Sequence, residues 1–104
     1  MSDYYTAMTK SLTPPTESVV DRFLRYVRID TQSQEDQSTT PSTAKQWTLA
    51  NLLASELKEL GVADVRVSEF CMVYASLPAN VDGLDVPTIG FIAHVDTSDR
   101  KSVV

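Results

Sequence analysis

The run Thr88-Ile89-Gly90-Phe91-Ile92-Ala93 constrains this chain more than any other segment. As a strand it would be apolar on both faces, and both faces would need cover. Strands of that kind lie inside α/β sheets, with helices packed above and below. The segments before it supply candidates for those layers.

Thr16-Glu17-Ser18 offers capping hydroxyls ahead of Val20, Phe23, Leu24 and Val27, which recur at three- and four-residue spacing. This predicts an amphipathic helix ending near Ile29. A polar stretch, Asp30 to Thr40, follows without hydrophobic pattern. Pro41-Ser42-Thr43 opens a second helix, whose buried stripe is Leu49, Leu53, Leu57 and Leu60, supported by Trp47 and Leu52. Gly61 sits where a helix end favours a left-handed residue. The period then changes. Val65-Arg66-Val67 alternates as a half-buried strand does, and Val73 to Leu77 is a second short strand. Asn80-Val81-Asp82-Gly83 supplies turn chemistry. The fold class is α/β: two helices, then strands of a mixed sheet that this chain leaves incomplete. By domain, 1–15 reads as a flexible leader, 16–98 as the folded part and 99–104 as a non-native tail.

The net charge of −5 argues against a nucleic-acid partner, which would favour a basic patch. No segment approaches the roughly 20 apolar residues that span a bilayer, so no membrane partner is expected. Met1 to Pro15 has neither the apolar region of a secretory signal nor an arginine, and the default compartment is the cytoplasm. Cys71 is the single cysteine, so there is no internal disulfide. In its apolar surroundings it reads as a small core residue.

One place carries chemistry. The apolar run ends in His94-Val95-Asp96-Thr97-Ser98, which contains the chain's single histidine. Strand side chains alternate, so His94 and Asp96 point to the same side. They lie at the C-terminal end of the strand, where open α/β sheets place their crevices. An imidazole and a carboxylate there suit a metal ligand and the partner that orients it. Taken alone, His-x-Asp is a weak signal, and the bland reading is a strand-end histidine bonded locally beside a solvated aspartate. One histidine makes no zinc site, since catalytic zinc takes about three protein ligands plus water.

The ordered set of motifs resembles a known family. Asp21-Arg22-Phe23-Leu24-Arg25-Tyr26-Val27, Asp30-Thr31-Gln32-Ser33, Pro41-Ser42-Thr43 with Gln46-Trp47, Leu77-Pro78-Ala79-Asn80 and Ile89 to Ser98 are similar to peptidase T, in order and with compatible spacing. The broader relatives are co-catalytic zinc peptidases, including carboxypeptidases and deacetylases. The resemblance implies the N-terminal fragment of a cytoplasmic aminopeptidase that uses two Zn2+ ions to remove the N-terminal residue from tripeptides. A homo-oligomeric full-length form is compatible with it. By that match His94 is a zinc ligand, and Asp96 is the catalytic-site carboxylate that supports it. The general base and the remaining ligands lie downstream in this family, so the chain alone is expected to be inactive. Alternatives are a fragment of a related dipeptidase or deacylase, and a non-catalytic α/β module that binds through a sheet edge. Three stretches depart from the family: the leader before Pro15 is longer, Phe70-Cys71-Met72 replaces a tighter, glycine-containing turn, and Asp99 to Val104 does not match its continuation.

Overall fold

The computed structural model describes residues 12–98. Helix α1 spans Val19–Val27 and α2 spans Gln46–Glu59. Strands β1 (Ala63–Val67) and β2 (Val73–Ser76) follow. The α/β order expected from the sequence is therefore present, with a two-stranded antiparallel sheet. The tail assigned to 99–104 and most of the leader, 1–11, lie outside the described residues.

Each helix end follows from its local sequence. Ser18 caps α1, its Oγ accepting the Asp21 amide at 3.0 Å. Gly61 ends α2 with φ +84°. Around it the Gly61 amide donates to the Lys58 carbonyl and the Val62 amide to the Leu57 carbonyl. That pairing satisfies carbonyls which the last turn would leave open. The start of α2 differs from the expected one. Ser42 and Thr43 do not cap it, because their hydroxyls serve the preceding loop. Ser42 Oγ accepts the Gln34 amide, and Thr43 Oγ1 donates to the Gln32 carbonyl. Residues 41–45 form bends and turns, and the helix proper begins at Gln46.

The core is small. Leu49, Ala50 and Ala54 are its buried apolar residues, all on α2. The predicted Leu53, Leu57 and Leu60 flank that line half-buried, as do Trp47 and Leu52. Two alanines one turn apart keep the buried line of the helix free of bulk. Strand β1 alternates as expected, with Ala63, Val65 and Val67 half-buried and Asp64 and Arg66 exposed. Its register with β2 shifts between Ala63 and Arg66, where Asp64 takes left-handed geometry at φ +54°. An extra residue in one strand is a β-bulge. Beyond it, Arg66 pairs with Tyr74 and lays its guanidinium 4.6 Å from the ring centre.

Three expectations are corrected. The apolar stripe of α1 is exposed: Val20, Phe23, Leu24 and Val27 all face outward. The helix meets α2 through its polar side instead, where Arg22, Arg25 and Tyr26 converge on Glu56. No apolar surface among the described residues covers the stripe. Second, Thr88 to Ala93 is in neither helix nor strand. Phe91 is 95% and Ile92 100% exposed. A strand needs a hydrogen-bonded neighbour, and among the described residues β1 and β2 pair only with each other. Third, Cys71 is not in an apolar strand. It sits half-buried in the β1–β2 turn with φ +66°, in the left-handed region that glycine tolerates best.

Candidate functional site

The segment that carries His94 is held from the side by the residues that follow α1. Gln32 and Thr97 form a parallel bridge. The Ser33 amide donates to the Thr97 carbonyl at 2.9 Å, and the Thr97 amide donates to the Thr31 carbonyl at 3.2 Å. Thr31 also donates from Oγ1 to the Val95 carbonyl at 3.0 Å. Chain separated by 64 residues is thereby brought together. Asp30 closes the clamp's own turn by accepting the Gln32 amide, and it pairs with Lys45 ahead of α2. The backbone bond from Gln32, then Lys45, lowers its carboxyl pKa.

Within that segment His94 and Asp96 touch, although no strand alternation brings them together. His94 Nδ1 lies 3.1 Å from Asp96 Oδ1 and 3.0 Å from the Asp96 carbonyl oxygen. A carbonyl oxygen can only accept, and so can an ionised carboxylate. Nδ1 therefore carries the proton. In the neutral ring that leaves the Nε2 lone pair as the free ligating atom, on a side chain that is 86% exposed. This is the arrangement in which a carboxylate fixes the tautomer and raises the basicity of a metal-binding histidine.

The pair is among the residues lining an open groove of about 900 Å³. Leu53 and Leu57 of α2, Met72 and Tyr74 of the hairpin, and Phe91 and Ile92 line it.

Zinc is the metal the resemblance implies, and the donor set decides how far the residues suit it. Among the described residues no group of three or more His, Cys, Asp or Glu is arranged to hold a metal ion. His94 offers one imidazole nitrogen, and the Asp96 carboxylate is turned toward Nδ1. One imidazole does not by itself fit a zinc ion, which takes about three protein ligands in a catalytic site. Among the described residues no helix is long and apolar enough to cross a membrane.

No protein-family model matches the chain. Individual relatives do. A peptidase T of Desulfitobacterium hafniense (strain Y51) is 62% identical over 81 residues, which is 78% of this chain and 19% of the relative. Over those residues the chain is similar to peptidase T. The peptidase T of an Exiguobacterium species is 56% identical over 80 residues, or 77% of this chain and 19% of its own length. That of Bacillus subtilis is 51% identical over 82 residues, covering 79% of this chain and 20% of the relative. The chain thus spans about a fifth of the length of the curated relatives it matches.

Sequence reasoning missed Thr31. It appeared only within the Asp30-Thr31-Gln32-Ser33 motif, and no spacing rule links that motif to a histidine so far along the chain. Its threonine hydroxyl beside an aspartate gave no sign that it would be the one buried polar residue among those described.

Proposed function

We propose that this chain is the N-terminal part of the catalytic domain of a zinc-dependent tripeptide aminopeptidase, cytoplasmic like its expected relatives, and that it is inactive alone. The observation that carries this reading is the contact between His94 Nδ1 and Asp96 Oδ1 at 3.1 Å, in a chain that is 62% identical to a peptidase T over 81 residues. His94 Nε2 is proposed as a ligand to one of two zinc ions. Asp96 is proposed as the carboxylate that holds the ring and its tautomer, without itself binding metal. The other ligands and the general base would come from polypeptide beyond this chain. The proposed substrate is a small peptide with a free N-terminus.

The test is a chimera. Residues 18–98 replace the matching segment of the Desulfitobacterium hafniense peptidase T, and tripeptide hydrolysis is measured beside the isolated 104-residue chain. The chimera is expected to release the N-terminal amino acid from tripeptides. The isolated chain with added zinc is expected to release none above a zinc-only blank. A folded but inactive chimera, or turnover by the isolated chain, contradicts the reading.

A further inference from the structure

Thr31 is only 3% exposed, and it is the one buried polar residue among those described. Its polar atoms reach the candidate site from both sides of Asp96. The side-chain Oγ1 donates to the carbonyl of Val95, one residue before Asp96, at 3.0 Å. The main-chain carbonyl accepts the amide of Thr97, one residue after, at 3.2 Å. The peptide groups flanking Asp96 are therefore pinned to one residue that lies outside the His94 segment.

That bracket matters because His94 and Asp96 have little else to hold them. The His94 side chain is largely exposed. Residues 88–93 leading into it belong to no helix or strand. Both acceptors on Nδ1 come from Asp96, one from its main chain and one from its side chain. Their placement depends on the backbone angles at Asp96, and those angles are set where the flanking peptides are fastened. Burial strengthens the fastening. A hydroxyl out of water costs free energy unless it is bonded, so the Thr31–Val95 bond is not readily exchanged for one to solvent.

We propose that Thr31 is a positioning residue for the His94–Asp96 pair. Through its hydroxyl it holds the Asp96 backbone so that both oxygens face Nδ1, and it thereby keeps the proton on Nδ1 and the Nε2 lone pair free. The proposal rests on the reading of His94 and Asp96 as ligand and support, and it adds a residue that has no contact with the ring.

The chain's single histidine makes the test direct, because its ring gives one pair of nitrogen resonances. The 15N shifts of Nδ1 and Nε2 are recorded on the full 104-residue chain in alkaline buffer, where an imidazole is neutral. Amide signals of Leu49 and Ala50 in α2 report the fold. The variants are Thr31→Val, which keeps the shape and removes the hydroxyl, Thr31→Ser, which keeps the hydroxyl, and Asp96→Ala, which leaves only the main-chain acceptor. The wild-type Nδ1 resonance is expected in the protonated range. Asp96→Ala and Thr31→Val should both move it toward the unprotonated range, with the α2 signals in place, while Thr31→Ser should leave it at the wild-type position. If Asp96→Ala leaves the resonance unmoved, the support role of the Asp96 carboxylate fails and the proposal falls with it. If Asp96→Ala moves the resonance and Thr31→Val does not, the pair stands and only the role of Thr31 is overturned. An equal movement in Thr31→Ser and Thr31→Val overturns it as well, since the methyl and not the hydroxyl would then matter. Should Thr31→Val lose the α2 signals, Thr31→Ser decides alone: a retained Nδ1–H resonance supports the proposal and a lost one overturns it.

Discussion

Glu56 on α2 holds Arg25 on α1 with both carboxylate oxygens, Oε2 at 2.5 Å and Oε1 at 3.0 Å. Oε1 also accepts from Tyr26 at 2.6 Å and from Arg22 at 2.7 Å. Glu17 completes the cluster from the residues before α1, accepting twice from Arg25. This polar clasp joins the two helices where apolar packing was expected. Glu56→Gln removes the charge that both arginines face. Hydrogen bonds to charged groups contribute about 1.5–3 kcal/mol, and the variant should lose about that much in urea unfolding. A cost under about 0.5 kcal/mol would place the cluster among ordinary surface ion pairs.

The same clasp gives stability a dependence on acid. The Arg25 hydrogen bond, with help from Tyr26 and Arg22, lowers the Glu56 pKa from 4.5 to about 2. Glu17 is lowered too, chiefly by its bond to Arg25. A carboxyl that binds protons less readily when folded stabilises the fold above its unfolded pKa. The contribution of Glu56 should be complete above about pH 4.5 and be lost as pH falls toward 2. Urea midpoints measured across that range should fall for the wild type and converge on those of Glu56→Gln. Parallel curves for the two proteins would contradict the shift.

Cys71 occupies the left-handed turn position of the hairpin with φ +66°. The turn is otherwise well bonded: the Cys71 amide donates to the Ser68 carbonyl, and the Ser68 amide donates to the Met72 carbonyl. A side chain in that region costs roughly 1–2 kcal/mol, which glycine avoids at some expense in unfolded-chain entropy. Cys71→Gly should therefore raise stability by about 0.5–1 kcal/mol, while Cys71→Ala should not. Equal effects of the two substitutions in thermal unfolding would show that the backbone angle is not the cause.

Phe91 and Ile92 make almost no contact that burial would reward. Replacing both with serine should change unfolding free energy by no more than about 0.5 kcal/mol. It should also reduce self-association, because exposed apolar patches drive aggregation. Sedimentation of the two proteins at matched concentration checks this. A large loss of stability in the double variant would mean that these side chains are packed in solution.

What was legible in the sequence was local. The Ser18 cap, the Gly61 stop and the alternation of Val65, Arg66 and Val67 each depend on residues a few positions apart, and each appears as read. His94 and Asp96 do meet, but through a local contact and not through strand alternation. What was not legible depends on partners. The stripe of α1 and the run Thr88 to Ala93 have the pattern of buried elements, but a pattern records which face wants cover and not whether cover is present. Thr31 was hidden for the opposite reason: its partner is present, 64 residues away. Cys71 was read as core because its neighbours are apolar, and its backbone angle instead places it in a turn.

The central claim is that His94 ligates zinc while Asp96 only supports it, and counting metal tests that most directly. Zinc content per protein is measured by atomic spectroscopy on the dialysed chimera carrying residues 18–98, alongside its His94→Ala and Asp96→Ala forms. The account predicts that His94→Ala loses one of the two zinc ions. It predicts that Asp96→Ala keeps both at saturating zinc while turnover falls about 10–100-fold, the usual cost of removing a residue that orients a ligand. Full zinc content in His94→Ala, or full turnover in Asp96→Ala, would contradict it.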